Sequence, residues 1–190
     1  MRLFAALPVP PRVRTTLSDV QDPSFQTIRW IPPERYHVTL CFLGASSPDD
    51  AARYQKALRT VSAPHARCAV HGLDVLPGRR RPRVLVAGLD RTPSLMRVHT
   101  AVNDALASAG ASTDDRRFRP HITLGRVRDS VDPAAFHRAL RGHPGLGAIT
   151  FHASAVHLYE SIPVDGGVRY ESRASVPLPT GSATNSATAQ

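Results

Sequence analysis

Two short segments, one in each half of the chain, repeat the same order of residue types. Tyr36–Leu40 reads Tyr-His-Val-Thr-Leu, and Pro120–Leu124 reads Pro-His-Ile-Thr-Leu. Each is followed, eleven or twelve residues after its histidine, by a proline that opens a capped helix, at Pro48 and Pro133. The two histidines lie 84 positions apart in a chain of 190 residues, so the repeat indicates an internal duplication rather than a solenoid. We therefore expect two lobes related by a pseudo-twofold axis.

The two segments are rich in Val, Thr and aromatic residues, which favours β-strands. Alternate side chains of a strand point to opposite faces, so each segment offers one polar and one apolar face. If the two lobes face each other, four polar side chains converge on one cleft. The expected polar face carries His37, Thr39, His121 and Thr123, and the expected apolar face carries Val38, Leu40, Phe42, Ile122 and Leu124.

Hydrophobic periodicity, prolines and glycines predict the remaining elements. Helices are expected to begin at Pro11, at Pro48 after the N-cap Ser47, at Pro93 after Thr92, and at Pro133 after Asp132. Small and polar residues fill 179–190, which predicts a disordered tail. Strands are expected at 2–9, 26–43 with an interruption at Pro32–Pro33, 67–76, 83–89, 119–127, 149–161 and 168–177.

The chain is basic, and the arginines cluster. A net charge of +9, from 24 basic and 15 acidic residues, favours phosphate-bearing partners, although an arginine-rich coding bias explains the same charge without any partner. Arg79–Arg81 with Arg83, and Arg116–Arg117 with Arg119, either track an RNA backbone or form solvated turns. The second cluster lies just before His121, so we favour it for substrate contact.

Several other classes lack support. No run of about 20 apolar residues is present to span a bilayer. Cys41 and Cys68 are too few for a disulfide framework, which favours a reducing cytoplasm. No Gly-x-Ser-x-Gly elbow, Walker loop or Gly-x-Gly-x-x-Gly turn is found. A zinc site built from His37 and Cys41 is disfavoured, because four residues along a strand separate their side chains by about 13 Å, beyond the reach of one tetrahedral ion.

A pair of imidazoles suggests acid and base chemistry without a metal. An imidazole titrates near pH 6.5, so at neutral pH two of them supply one base and one acid. Threonine hydroxyls can donate hydrogen bonds to phosphate oxygens. This combination suits an in-line displacement at phosphorus, in which one group activates the nucleophile and the other protonates the leaving oxygen. The histidine and threonine pairs are therefore the candidate active site.

Longer motifs around these residues resemble one known family. They are Met1–Pro8, Trp30–Glu34, His37–Leu40 running into Phe42–Gly44, and Phe118–Arg126, and the match runs in order to about residue 177. The chain resembles the RNA 2′,3′-cyclic phosphodiesterases, the 2′-5′ RNA ligase-like branch of the two-histidine (2H) phosphoesterase superfamily. The resemblance implies an α+β fold of two pseudo-symmetric lobes, each an antiparallel sheet with helices on its outer face, around a central cleft. It also implies one bilobal domain, 1–178.

The implied activity is metal-independent opening of an RNA 2′,3′-cyclic phosphate to a 2′-phosphomonoester. By the resemblance, His37 is the proton donor to the departing 3′ oxygen and His121 is the acceptor that activates water. Thr39 and Thr123 hold the phosphate. The near-symmetry of the two motifs makes the donor and acceptor interchangeable in principle, and the residues themselves do not decide between them.

Two further positions follow from the same resemblance. Arg126 matches an arginine that lies close to the phosphate in the family, but strict alternation puts it on the face opposite His121; a bulge or bend at Gly125 reconciles the two. Cys41 stands where many relatives carry an arginine, which weakens the expected grip of the first lobe on phosphate or RNA.

Two alternatives to hydrolysis stay open. One is reversible 2′-5′ ligation of RNA, which uses the same site in reverse, and the other is a non-catalytic RNA-binding module. The expected partner is RNA or a nucleotide with a 2′,3′-cyclic phosphate; no metal, cofactor, membrane or obligate protein partner is expected, and a cytoplasmic monomer is predicted. Four aromatic residues are candidates either for base stacking or for the core: Trp30, Tyr36, Phe42 and Phe118.

Overall fold

The structure is a computed structural model, and it describes residues 1–113, 117–128, 131–142 and 145–179. The described part of the chain contains nine strands, four helices and a short 3-10 turn, Pro33–Arg35. The helices are α1 (Pro11–Ser18), α2 (Pro48–Leu58), α3 (Pro93–Ser108) and α4 (Pro133–Gly142). The strands are β1 (Arg2–Pro8), β2 (Ile28–Trp30), β3 (His37–Ala45), β4 (Ala66–Leu76), β5 (Val84–Leu89), β6 (His121–Val127), β7 (Ile149–Ala153), β8 (Ala155–Val164) and β9 (Gly167–Pro177).

All nine strands join one antiparallel sheet whose order is symmetric about its middle. The order is β7-β4-β5-β6-β3-β1-β8-β9, and β2 pairs with β6. Lobe one comprises β3, β1, β8 and β9, and lobe two comprises β6, β5, β4, β7 and β2. The lobes meet where β3 and β6 pair at Val38 and Ile122. The expected α+β fold of two pseudo-symmetric antiparallel lobes is confirmed, with the hydrogen-bonded ladder running through both.

The lobes are not built from separate halves of the chain. The strand expected at 149–161 is two strands that break at Ser154: β7 pairs with β4 in lobe two, and β8 pairs with β1 in lobe one. The buried positions also change phase at the break: Ile149, Phe151 and Ala153 are buried in β7, whereas Val156 and Leu158 are buried in β8. Each half of the sequence therefore contributes strands to the other lobe.

Helices α2 and α3 cover the face of the sheet that carries the apolar residues. Ser47 caps α2 in a reciprocal capping box with Asp50, and the Thr92 hydroxyl accepts the amide of Leu95 at the start of α3. Helix α3 packs against both β3 and β4. One core cluster contains Val38 and Leu40 from lobe one, Ile122 and Leu124 from lobe two, and Leu95, Val98, Val102 and Leu106 from α3.

Helix α4 closes a second, smaller core cluster in lobe two. Its Phe136 is 2% exposed, and the Asp132 carboxylate accepts the amides of Ala134 and Ala135. This N-cap was predicted from the Asp-Pro pair and is confirmed. Phe136 packs with Ile28, Val75, Leu85 and Val127.

Two predictions concern segments at the margins of the structure. Of the tail expected at 179–190, only Pro179 is described; its carbonyl accepts the amide of His65, and the rest lies outside the described residues. Arg116 also lies outside them. None of the described helices is both long and apolar enough to span a membrane.

Candidate active site

The four polar side chains predicted to converge do lie together, on either side of the join between the lobes. Because Val38 and Ile122 are directly paired in an antiparallel ladder, their sequence neighbours face one another on the opposite side of the sheet. Val38 and Ile122 are fully buried on the helix side, and the four polar residues are half-buried on the other side, which we call the cleft. These are His37, Thr39, His121 and Thr123.

Both histidines are fixed in the same tautomer. The Nδ1 atom of His37 lies 2.7 Å from the carbonyl oxygen of Arg35, and Nδ1 of His121 lies 2.7 Å from that of Arg119. A carbonyl can only accept, so Nδ1 carries the proton in each ring. The Nε2 atom is left to lose or gain the proton of an acid–base reaction, and within the described residues neither Nε2 has a hydrogen-bond partner.

The phosphate-binding candidates are also available to a ligand. Neither the Thr39 nor the Thr123 hydroxyl makes a hydrogen bond to any other described residue. A half-buried hydroxyl without a protein partner is satisfied by water or by a ligand oxygen. Two such hydroxyls beside two Nε2 atoms form a site for a compact anion.

His37 is enclosed by aromatic rings of lobe one. The ring centroid of Phe4 lies 4.9 Å from that of His37, and Tyr170 meets the imidazole edge-on at 5.2 Å, with Tyr159 at 6.5 Å. Burial lowers the pKa of His37, the hydrogen bond to the Arg35 carbonyl raises it, and positive charge on His121 lowers it. Because of this last effect, the protonation state of His121 influences the pKa of His37 across the join.

His121 lies in a more polar setting that Arg119 organises. Burial lowers the pKa of His121, the hydrogen bond to the Arg119 carbonyl raises it, and the Arg119 guanidinium lowers it. That guanidinium also donates to the Pro77 carbonyl at 3.1 Å and to the Asp74 carboxylate at 3.3 Å. Arg119 therefore ties the segment before His121 to the end of β4.

Matching β-bulges in the two central strands reverse the alternation of side chains beyond each threonine. Leu40 has no partner on β1, and Leu124 has none on β5. The extra residue turns Phe42 to the cleft side, where it is 67% exposed, and turns Arg126 to the same side. The expectation that Phe42 shares the buried face of Val38 and Leu40 is wrong for this reason. The bend expected near Gly125 is confirmed.

The carbonyl groups of the two bulged residues receive hydrogen bonds from outside the ladder. Asn103 of α3 donates its Nδ2 to the Leu40 carbonyl at 3.2 Å, and the amide of Ile31 donates to the Leu124 carbonyl at 2.8 Å. A β-carbon at Gly125 would lie 2.3 Å from Cγ2 of Ile28, so only glycine allows β2 to pass over this point. Both bulges are therefore built into the packing.

Two cavities flank His121 and provide room for more than a phosphate. One, of about 490 Å³, lies over lobe two and includes His71, Asp74 and Asp90 in its lining. The other, of about 460 Å³, lies between the lobes and includes Thr39, Phe42 and Asn103. Five residues line both cavities: Leu76, Arg117, Phe118, Arg119 and His121.

The remaining sequence candidates divide between core and cleft. Tyr36 is 2% exposed in the core, whereas Phe118 stacks on His99 with centroids 3.8 Å apart beside the cleft. The rings of Tyr159 and Tyr170 were missed, because nothing in the sequence says that β8 lies next to β1 and β9 next to β8. Among the described residues, no three His, Cys, Asp or Glu side chains form a set of metal ligands.

The chain is similar to known proteins along most of its length. A family model described as the 2′-5′ RNA ligase superfamily matches residues 9–163. An RNA 2′,3′-cyclic phosphodiesterase of Geobacillus stearothermophilus is 29% identical over 180 residues, covering 92% of this chain and 56% of that protein. Proteins of the same name from Aeropyrum pernix and Bacillus subtilis are 28% and 26% identical over 76% and 83% of this chain, and 82% and 89% of their own lengths. The chain thus spans just over half of the Geobacillus relative.

Solved structures share the fold at low identity. The crystal structure of TT0787 of Thermus thermophilus matches with a TM-score of 0.80 and 22% identity, covering 95% of this chain and 99% of that chain. That of E. coli LigT complexed with 3′-AMP matches with a TM-score of 0.74 and 23% identity, covering 93% and 97%. These matches establish the architecture.

Proposed function

The chain belongs to the 2′-5′ RNA ligase superfamily, and on that basis we propose that it hydrolyses RNA 2′,3′-cyclic phosphate ends to 2′-phosphomonoesters. The single observation that carries this proposal is the meeting of two Nε2 atoms and two hydroxyls, none with a partner among the described residues, about the Val38–Ile122 pair. The relatives named RNA 2′,3′-cyclic phosphodiesterase support the substrate class.

In the proposed reaction, the protonated Nε2 of His37 and the neutral Nε2 of His121 act on opposite sides of phosphorus. His121 takes a proton from water as the water oxygen attacks, the bond from phosphorus to the 3′ oxygen breaks, and His37 gives its proton to that oxygen. Each imidazole ends in the other's starting protonation state, so exchange with solvent restores the pair. The products are a 2′-phosphomonoester and a free 3′ hydroxyl.

The other site residues act on the non-bridging oxygens in this proposal. The hydroxyls of Thr39 and Thr123 donate hydrogen bonds to them, which holds phosphorus between the imidazoles. The bulge turns Arg126 to the cleft. Its cross-strand partner on β5, Val84, lines the cavity between the lobes. A guanidinium there stabilises the negative charge that develops in the transition state.

The test compares His37→Ala and His121→Ala with the parent chain on a 2′,3′-cyclic mononucleotide and on an oligonucleotide with the same end. We expect kcat to fall by about 10²- to 10⁴-fold in each variant, the range for loss of a positioned acid or base. His152→Ala is the matched control, because this histidine is exposed on β7, away from the join.

Four outcomes distinguish the possible activities. Unchanged turnover in either site variant contradicts the paired mechanism, and release of a 3′-phosphate contradicts the assigned leaving oxygen. Joined product from RNA halves with the parent chain identifies reversible ligation instead. Salt-sensitive RNA binding without any product identifies a non-catalytic binding module. Activity is expected to persist in a chelator.

A further inference from the structure

A second basic cavity lies at the tip of the β4–β5 hairpin, outside the catalytic cleft. It measures about 540 Å³, and Pro82, Val131 and Pro133 supply its apolar lining. The hairpin turn is fixed by backbone hydrogen bonds from the Arg81 amide to Gly78 and from the Arg83 amide to Leu76. The basic lining consists of Arg80, Arg81, Arg83 and Arg128.

Three of the four arginines in this cavity carry charge that no described residue balances. Among the residues described around it, no acidic side chain lines the cavity, and the guanidinium groups of Arg80, Arg81 and Arg128 have no ion-pair partner. The nearest described carboxylate in sequence, Asp132, accepts two amides at the start of α4. Concentrated positive charge of this kind stabilises a bound anion and costs self-repulsion without one.

The basic cavity is continuous with the cleft through one residue. Arg83 lines both the cavity at the hairpin tip and the cavity between the lobes that contains Thr39 and His121. The next residue, Val84, pairs with Arg126 across β6. A polymeric ligand that leaves the cleft towards the hairpin tip therefore passes Arg83 first. It then reaches Arg80, Arg81 and Arg128.

We propose that the arginine cavity at the hairpin tip is a subsite for the phosphodiester backbone of the RNA strand that precedes the cyclic end. This inference rests on the proposed function and adds the place where a substrate longer than one nucleotide is held. Several guanidinium groups spread along an edge match a polyanion with repeated phosphates, whereas a single small anion engages only one or two of them. The subsite contributes affinity without taking part in the chemistry.

The test removes two arginines and compares a long with a short substrate. The double variant Arg80→Gln and Arg81→Gln is assayed on a cyclic-ended oligonucleotide and on a 2′,3′-cyclic mononucleotide over a range of salt concentrations. We expect KM for the oligonucleotide to rise about tenfold at low salt. The slope of log KM against the logarithm of the salt concentration should fall by about 1.4, or about 0.7 for each guanidinium removed. The mononucleotide has no backbone to bind, so its kcat and KM should stay unchanged.

A matched control removes the same charge from the other side of the molecule. The control variant Lys56→Gln and Arg59→Gln changes two exposed residues, one in α2 and one directly after it. Helix α2 packs on the face of the sheet opposite the cleft. An equal rise in KM for the two double variants, or an equal loss on both substrates in the hairpin variant, overturns the subsite while leaving the proposed function intact. No turnover of either substrate by the parent chain would instead refute the proposed function.

Discussion

At the scale of single residues, the two histidines are held alike but surrounded differently. Each donates Nδ1–H to the carbonyl two residues before it, which aims Nε2 at the cleft. His37 is then packed against aromatic rings, whereas His121 lies next to the guanidinium of Arg119. Since positive charge on one imidazole disfavours charge on the other, only one of the two rings is also protonated on Nε2 over an interval of pH. A paired acid and base needs this state.

The direction of these pKa shifts predicts an acidic optimum. Burial lowers the pKa of both His37 and His121 below the ordinary value of about 6.5. The general acid must be protonated to work. Because its pKa is lowered, the midpoint of the alkaline limb of the kcat/KM profile should lie below about pH 6.5. We expect a bell-shaped profile for the cyclic mononucleotide with its maximum on the acid side of pH 6.5. A maximum above pH 7 contradicts this assignment.

Removing one charge should move one limb of that profile. The variant Arg119→Gln loses the positive charge that lowers the pKa of His121, while the backbone carbonyl that orients the ring remains. Protonated His121 is then favoured, so the limb that reports His121 should move to higher pH. The control Arg67→Gln removes an exposed charge on β4 and should leave both limbs in place.

At the scale of elements, the two bulges decide which side chains reach the cleft. Each adds a residue after the threonine, and each needs a donor for the carbonyl that the ladder no longer pairs. In lobe one, that donor is Asn103, which couples α3 to β3; in lobe two, it is the amide of Ile31. The bulges therefore connect the cleft face to the helix face.

Loss of the donor in lobe one should destabilise the fold. In Asn103→Leu, the Leu40 carbonyl keeps its partly buried position without a hydrogen bond, which costs about 1–3 kcal/mol of unfolding free energy. Urea denaturation measures the change. Ser108→Ala is the control, because its hydroxyl bonds only a carbonyl of its own helix, and it should change stability by less than about 0.5 kcal/mol. Equal stability of the two variants contradicts the role assigned to Asn103.

The elements themselves could be predicted from the sequence because their signals are local. Prolines after Ser47 and Asp132 mark helix starts, and alternation around His37 and His121 marks strands with one polar face. A bulge has no comparable signal, since Leu40 looks like any other apolar strand residue. Alternation therefore predicted that Phe42 is buried. A bend at Gly125 was expected only because the family resemblance places Arg126 near the phosphate.

At the scale of the whole molecule, the lobes draw their strands from both halves of the sequence and share one core cluster. One cluster of buried residues joins side chains of both lobes through α3, which packs against β3 and β4. The repeated motif predicted the pseudo-twofold arrangement, but periodicity specifies the face of a strand and not its neighbour. The aromatic setting of His37 depends on β8 lying beside β1, so it could not be predicted from the sequence.

This exchange of strands sets an order in which the lobes can be completed as the chain is synthesised. The strands β4 to β7 of lobe two all lie within 66–153, whereas one edge of β1 stays without a partner until β8 has emerged. We expect ribosome-held chains of increasing length to resist proteolysis first in strands β4 to β7 of lobe two, while β1 remains cleavable. Earlier protection of β1 than of β5 would contradict this order.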